Sequence, residues 1–210
     1  MTGAGFKIAI FARAPVAGQC KTRLIPRLGP EGAAELQARL TIHALKTAVA
    51  TAAEKVELWC SPDVAHPFFA QCAAQFDIEL LAQRGADLGA RMDHAFQNAK
   101  NPLILIGTDS PCITAADLEH AAQALDDGAG AVFLPAQDGG YGLVGLAEPC
   151  PEIFTDMVWS TAEVMNETRR RLLRLEYDWR ELRTVWDVDE PGDYERLVAS
   201  GLMGGLEPKA

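Results

Sequence analysis

Short apolar, β-branched runs alternate with alanine-rich amphipathic segments, and this alternation constrains the fold more than any other sequence feature. Four such pairs follow one another along the chain. The strand-type runs cover residues 6–11, 56–60, 78–82 and 103–106, and the helix-type segments cover residues 31–51, 65–76 and 88–99 and begin again at Thr114. Because parallel strands need long crossover connections, the alternation predicts an α/β fold with a mostly parallel sheet and helices on both faces.

The last third of the chain departs from this alternation. Two strand-type runs, 131–135 and 141–146, are joined by a short Gly-containing turn, and a helix at 160–175 and a strand at 182–188 are predicted to follow. The sheet is therefore predicted to be mixed. Because no linker or repeat divides the chain, we expect a single domain over residues 1–200 and a flexible tail over residues 201–210.

The composition excludes several classes of protein. Nineteen Lys and Arg residues against 29 Asp and Glu residues give a net charge of -10, which disfavours binding to bulk nucleic acid. No apolar run approaches the ~20 residues of a membrane span. Five widely separated cysteines are typical of reduced thiols, so a cytoplasmic location is expected.

A basic loop follows the first predicted strand. The first 30 residues hold five Lys or Arg residues and no Asp or Glu. Lys21, Thr22 and Arg23 lie in this loop, where the two cations can hold phosphate oxygens, and Gly18 lets the backbone approach a ligand. Neither a Walker motif nor a dinucleotide-binding fingerprint is present. A solvated basic loop is the alternative.

Asp109 follows the fourth predicted strand, at the sheet edge where the basic loop also begins. Ligands of open α/β sheets bind at this edge. A carboxylate opposite a phosphate-binding loop is suited to hold Mg²⁺ or Mn²⁺ against a diphosphate. The structural alternative for Asp109 is an Asx turn before Ser110 and Pro111.

Further candidates lie in turns. Asp138, Gly139, Gly140 and Tyr141 form either a tight hairpin turn or a close backbone approach to a ligand.

Asp187 and Asp189 are predicted on the same side of a strand, where they could supply a second metal carboxylate or a base. A solvated turn before a helix is the alternative. Asp87 is expected to cap the helix at 88–99, with ligand contact as the less favoured interpretation.

Five blocks of sequence, in order, resemble a bacterial glycosyltransferase-like family of the nucleotide-diphospho-sugar transferase (GT-A) superfamily. The blocks are Ile-Phe-Ala-Arg-Ala-Pro-Val-Ala-Gly-Gln-Cys-Lys-Thr-Arg-Leu, Ile-Gly-Thr-Asp-Ser-Pro, Asp-Gly-Gly-Tyr-Gly-Leu-Val-Gly-Leu, Trp-Ser-Thr and Asp-Val-Asp-Glu-Pro-Gly-Asp. The superfamily also contains the phospholactate and molybdenum-cofactor guanylyltransferases.

This resemblance implies a single GT-A, Rossmann-like domain and a set of site residues. It assigns Arg13, Lys21 and Arg23 to the nucleotide phosphates and Asp109 to the metal. It also implies that residues 138–141 form the acceptor-side wall, with Trp159 of the Trp-Ser-Thr block as a substrate-binding residue. Asp187 or Asp189 would be a further carboxylate.

The sequence thus predicts a metal-dependent transferase that uses a nucleotide-activated donor. Glycosyl transfer from a nucleotide sugar to a small acceptor is the leading hypothesis, with Asp138 or Asp189 as candidate base. The alternatives are nucleotidyl transfer from a nucleoside triphosphate with release of pyrophosphate, and a nucleotide-binding module without catalysis. The sequence does not identify the base of the donor, the sugar, the acceptor or the oligomeric state.

Overall fold

The computed structural model describes residues 5–100 and 102–205. The strands are β1 (Lys7–Arg13), β2 (Lys55–Ser61), β3 (Glu79–Ala82), β4 (Leu103–Ile106), β5 (Ala131–Pro135), β6 (Tyr141–Leu146) and β7 (Trp179–Glu181). The α-helices are α1 (Ile25–Val49), α2 (Pro67–Phe76), α3 (Leu88–Asn98), α4 (Ala115–Asp126), α5 (Val164–Arg174) and α6 (Pro191–Ser200), and 3₁₀ helices span Thr22–Leu24 and Pro151–Ile153.

The strands form one seven-stranded sheet in the order β3-β2-β1-β4-β6-β5-β7. All neighbouring pairs are parallel except those of β6, which runs antiparallel to both β4 and β5. The predicted mixed, mostly parallel α/β sheet is therefore confirmed. Because β2 and β3 extend the sheet on one side of β1 and β4 on the other, the winding reverses between β1 and β4, where ligands of such sheets bind.

Alternating side chains of the strands build a core on each face of the sheet. Ile8 and Ile10 of β1 lie, fully buried, in a cluster that includes buried residues of α1, α2 and α4. Ala9, between them, belongs to a second cluster that contains Met92 of α3 and Met165 of α5. Helices thus cover both faces, as the alternation predicted.

The predicted bounds of the last strand and of two helices were wrong. The strand expected at 182–188 is instead Trp179–Glu181, and beyond it Val185 makes an isolated bridge to Ala136. The pairing register of β5 shifts at Pro135, which has no N–H to continue a ladder.

The first helix begins earlier than predicted, at Ile25, and is interrupted at Gly29, whose φ of 72° is non-helical. The fifth begins at Val164 after Glu163 and not at residue 160 as predicted. Ser160 has a φ of 62°, which is not a right-handed helical value.

The carboxyl-terminal segment is described only in part. Residues 201–205 form a turn in which the Arg39 guanidinium donates hydrogen bonds to the carbonyls of Met203, Gly204 and Gly205. Residues 206–210 of the predicted tail lie outside the described residues. None of the helices within residues 5–100 and 102–205 combines the length and apolarity that a membrane crossing would require.

Candidate functional site

A cleft of about 970 Å³ opens along the carboxyl ends of the parallel strands. Arg13 at the end of β1 and Ser61 at the end of β2 line it, together with Gln83 just after β3 and Asp109 beyond β4. Tyr141, the first residue of β6, lines the same edge because that strand runs in the opposite direction. The switch point between β1 and β4 therefore lies at the centre of the cleft.

The basic loop folds so that Lys21 is buried against this switch point. Lys21 adopts a left-handed backbone conformation, with φ of 47°, at the start of the 3₁₀ helix. Its side chain is 4% exposed, and its Nζ lies 2.7 Å from Asp109 Oδ1 and donates to the carbonyl of Val188 at 2.6 Å. An ammonium has three hydrogens, so one remains for a ligand in the cleft.

The other two cations of this region are exposed. Arg23 forms an ion pair with Asp189, and both side chains are largely accessible to solvent. The side chain of Arg13 makes no hydrogen bond or ion pair with residues 5–100 and 102–205. Thr22 lies between the two paired cations and lines the cleft. The cleft thus brings together four of the predicted phosphate-binding residues, Arg13, Lys21, Thr22 and Arg23, and Arg13 is the cation among them without an ion pair to a described residue.

The loop after β4 holds Asp109 firmly. Its carbonyl accepts a hydrogen bond from Val188 N at 2.8 Å, and the neighbouring Thr108 hydroxyl accepts one from Gln37 at 3.0 Å. The carboxylate is directed to Lys21, so the Asx-turn alternative does not describe this side chain. Asp109 therefore faces the cleft from a fixed backbone.

Asp138 and Asp187 lie near each other without a cation between them. Asp138 Oδ1 accepts a hydrogen bond from Gly140 N at 2.9 Å, which confirms the tight-turn interpretation. Burial raises the pKa of Asp187 to about 6, and the nearby charges of Asp138 and Asp109 act in the same direction. Neither Asp138 nor Asp187 forms an ion pair with a described residue.

These carboxylates bear on the predicted metal site. No group of three or more His, Cys, Asp or Glu side chains among the described residues is arranged to hold a metal ion. Asp187 and Asp189 do not lie on a strand, and Asp189 faces Arg23 instead. The charges of Asp138, Asp109 and Asp193 all act on Asp187, whereas Asp189 is paired with a cation.

The predicted acceptor wall is closely packed. Gly139 has φ of 91°, and a Cβ there would lie 2.1 Å from the carbonyl oxygen of Ala162. The rings of Tyr141 and Trp159 are packed edge to face, with their centroids 6.5 Å apart. Both residues line the cleft together with Gly140. Burial raises the pKa of the Tyr141 hydroxyl far above neutral pH, so the phenol stays protonated.

Three predicted site residues lie off the cleft lining. Gly18, with φ of 76°, makes an open turn, in which a Cβ added to it would have no heavy atom within 4 Å. Asp87 Oδ1 accepts a hydrogen bond from Ala90 N at 2.8 Å, which confirms its role as the cap of α3. Gly139 packs behind the turn, against Ala162. Ligand contacts of these residues stay predictions.

Sequence reasoning missed several polar residues of the lining. Gln83 donates hydrogen bonds to the carbonyls of Ala12 and Trp59 at 3.2 and 2.8 Å. Arg91 approaches the carbonyl of Gly85 and the hydroxyl of Ser61 at 3.3 and 3.5 Å. The signal was present, because polar residues after β3 reach the same sheet edge as those after β1 and β4.

Charge divides the cleft along the sheet edge. We call the part at the ends of β1, β2 and β3 the cationic half, since it holds Arg13 and Arg91. We call the part beyond β4 the carboxylate half, which holds Asp138 and Asp187. The Lys21–Asp109 pair lies at the boundary between them.

Comparison with known proteins agrees with this geometry. The sequence profile of a bacterial family, described as "Uncharacterized protein conserved in bacteria (DUF2064)", matches residues 44–161. The chain belongs to this family. This DUF2064 member is also 29% identical over 191 residues to the phosphoenolpyruvate guanylyltransferase of Sphaerobacter thermophilus, covering 88% of this chain and 89% of that protein.

Solved structures extend the comparison. A Desulfovibrio desulfuricans G20 protein, provisionally assigned as a nucleotide-diphospho-sugar transferase, superposes on the DUF2064 chain with a TM-score of 0.85 and 28% identity, covering 95% of this chain and 89% of that one. The inositol-1-phosphate CTP transferase of T. maritima shares the fold, with a TM-score of 0.61, 9% identity and coverage of 99% and 100%. The predicted superfamily, and an enzyme of the nucleotidyl- or glycosyltransferase type, are confirmed.

Proposed function

We propose that this protein transfers a glycosyl group from a nucleotide-diphospho-sugar to a hydroxyl of a small acceptor, with the help of a divalent metal ion. The observation that carries the proposal is the Lys21–Asp109 pair at the switch point. It lies between a cationic half suited to a diphosphate and a carboxylate half suited to a hydroxyl. The D. desulfuricans neighbour supports a nucleotide-sugar donor.

The donor is assigned to the cationic half. Arg13 is exposed and unengaged among the described residues, so its planar guanidinium is available to phosphate oxygens. The remaining hydrogen of the Lys21 ammonium can be donated to a second phosphate oxygen. Arg23 can exchange Asp189 for a phosphate because the Arg23–Asp189 ion pair is exposed. These three cations would place the diphosphate over the switch point.

The metal is assigned to the boundary between the two halves. Asp109 and Asp187 would hold Mg²⁺ or Mn²⁺, since carboxylate oxygens are the ligands that these ions prefer and their charges already interact. When bound, the metal neutralises negative charge on the departing diphosphate. Asp189 serves the basic loop through Arg23 and is less suited to this role.

The carboxylate half supplies the base. The acceptor oxygen would form the new bond to the anomeric carbon while the bond from that carbon to the β-phosphate oxygen breaks. The bonding electron pair leaves with the nucleoside diphosphate, and the acceptor proton passes to Asp138.

Nucleotidyl transfer is the second candidate. It is favoured by the similarity to the S. thermophilus guanylyltransferase over most of both chains. In that reaction an acceptor oxygen attacks the α-phosphorus of a nucleoside triphosphate and pyrophosphate leaves. The same cations would hold the triphosphate.

The products decide between the two. The protein is incubated with Mg²⁺ or Mn²⁺, an acceptor panel, and either nucleotide sugars or nucleoside triphosphates. Release of nucleoside diphosphate from a sugar donor is the expected result. Pyrophosphate release from a triphosphate would establish the second candidate, and nucleotide binding without either product would leave a binding module.

A further inference from the structure

Two hydrogen-bond donors of the cleft lining have no partner in the protein's own fold. The hydroxyl of Tyr141 and the indole N–H of Trp159 are enclosed, and neither makes a hydrogen bond with another described residue. Both residues line the cleft, and their rings are packed edge to face. A buried donor without a partner is destabilising, and an oxygen supplied by a ligand would satisfy it. The proposed mechanism uses neither group.

The surroundings of these two donors are apolar. Both rings pack against a core cluster that contains Met92, Leu105 and Val144, and these three side chains also line the cleft. Binding sites of this kind combine an apolar surface with a small number of polar groups that fix the orientation of the ligand. A ligand group that fits here therefore carries an oxygen that accepts hydrogen bonds and a small apolar part beside it.

The two donors are neutral, which matches an amide carbonyl better than a carboxylate. Burial raises the pKa of Tyr141, so its hydroxyl keeps its proton. The Arg171 guanidinium, whose charge acts on Tyr141, already donates to Glu167 Oε1 at 2.6 Å and to backbone carbonyls of the preceding loop. The charge of the proposed metal would be balanced by its two carboxylates and the departing diphosphate. A buried carboxylate needs charge compensation in addition to donors, whereas an amide carbonyl needs donors alone.

Trp159 lies on a segment with few attachments, residues 157–160, which we call the Trp159 segment. Among the described residues, its backbone makes no hydrogen bond beyond Thr161. Its flanks are held, because Arg171 donates to the carbonyl of Asp156 at 3.1 Å and Met165 N donates to a carbonyl at 2.8 Å. Sparse hydrogen bonding allows local opening. The enclosed donors thus become accessible when the indole shifts.

The indole also depends on a glycine of α3. A Cβ at Gly89 would lie 2.8 Å from Trp159 Nε1, so the absence of a side chain there lets the indole nitrogen approach the helix. Tyr141 follows the turn that holds the proposed base Asp138, and both residues line the cleft. The two donors and the base therefore belong to the part of the cleft that the proposed function gives to the acceptor.

We propose that Tyr141 Oη and Trp159 Nε1 form a subsite for an amide carbonyl, and that the acceptor is a small N-acetylated compound such as an N-acetylated sugar. The Trp159 segment shifts to admit the acetamido group, whose oxygen accepts from both donors and whose methyl packs on the apolar side chains. The inference rests on the proposed function, because it assigns this subsite to the acceptor.

Three sugars that differ in one substituent test the inference. Binding of N-acetylglucosamine, glucose and glucuronate is measured by saturation-transfer difference NMR, with the protein alone and with Mg²⁺ and uridine or guanosine diphosphate. We expect N-acetylglucosamine to bind about tenfold more tightly than the other two, with strong transfer to its acetyl methyl. Equal binding of the three, no binding, or a preference for glucuronate overturns the inference. This readout needs no turnover, so failure of the proposed function, seen as no release of nucleoside diphosphate, is separate.

Removal of one hydroxyl adds a readout in the ligand-free protein. Tyr141→Phe keeps the ring and removes the unpaired donor, so we expect Tm to rise by about 2 to 4 °C while the preference for N-acetylglucosamine over glucose is lost. The matched control is Tyr177→Phe, because the Tyr177 hydroxyl donates to the carbonyl of Gly130 at 3.4 Å and does not line the cleft. That variant should not gain stability and should keep the preference. Retention of the preference in Tyr141→Phe overturns the inference whatever its Tm.

Discussion

Two ion pairs link the basic loop to two other loops of the cleft, and their cations differ in burial. Lys21–Asp109 and Arg23–Asp189 both join the basic loop to the opposite wall of the cleft. The Lys21 side chain is 4% exposed although that of its partner Asp109 is 53% exposed, whereas those of Arg23 and Asp189 are 65% and 42% exposed. A buried charge depends on its partner, while an exposed pair contributes little to stability and can exchange partners. The first pair therefore fixes the loop, and the second leaves a cation free to engage a ligand.

Turnover should show the largest difference between the pairs. Asp109→Ala removes a proposed metal ligand at the switch point, and we expect kcat to fall by about 10² to 10³ because the metal would no longer be held against the departing diphosphate. Asp189→Ala should reduce kcat less than about tenfold, since its partner is exposed. Steady-state rates with the donor that the product assay identifies compare the variants, and equal losses would contradict the distinction.

The two ion pairs should also differ, by a smaller amount, in what they contribute to the free energy of unfolding. Asp109→Ala leaves the Lys21 ammonium buried with only the Val188 carbonyl, and we expect a loss of about 2 kcal/mol. For a domain of this size that corresponds to a Tm lowered by about 4 to 8 °C. Urea unfolding measures the change.

The control for this prediction removes the buried charge as well. Lys21→Met in the Asp109→Ala background should recover about half of the lost stability, because an apolar side chain of similar length needs no partner. A double variant no more stable than Asp109→Ala would show that the buried charge is not the cause.

The contribution of Arg23, from the exposed Arg23–Asp189 pair, to nucleotide binding should depend on the salt concentration. Arg23→Gln is expected to change the free energy of unfolding by less than about 0.5 kcal/mol and to weaken nucleotide binding about three- to tenfold at low ionic strength. Calorimetric titration at low and high salt measures the effect, which should shrink as salt is added. A salt-independent loss would assign Arg23 a buried contact instead.

Asp187, which forms no ion pair with a described residue, should give an effect that depends on pH. Its folded pKa of about 6 lies above the usual value of 3.8, so its contribution to stability is full below that usual value and is lost as pH rises through 6. Asp187→Asn should thus match the wild type near pH 4 and exceed it by about 1 kcal/mol at pH 7.5, after screening by solvent. Chemical unfolding at both pH values measures the difference, and a constant offset would contradict it.

Local patterns in the sequence predicted much of the fold. The run at 103–106 matches β4 at both ends, and Thr114, where the last helix-type segment was predicted to begin, caps α4. These features depend on side chains adjacent in sequence or on a simple period, so the sequence states them directly. The sheet edge that unites the site followed from the same alternation.

Contacts between distant residues could not be predicted in the same way. Sequence reasoning assigned Lys21 to phosphate and Asp109 to metal, yet the two bind each other in the structure. It placed Asp187 and Asp189 on one side of a strand, but the chain leaves the sheet after Glu181 and the two carboxylates have different surroundings. Pairing of side chains across the cleft is set by the packing of loops, which no periodicity encodes.

The antiparallel direction of β6 has a consequence for how this scaffold can diversify. Because β6 begins at the cleft edge, the wall beside it is the turn between Pro135 and Tyr141 and not the start of a crossover helix. A turn can lengthen or change composition while both flanking strands keep their register. New acceptor preferences could therefore be grafted by exchanging residues 136–140, provided that the proposed base Asp138 and a glycine where the backbone meets Ala162 are kept.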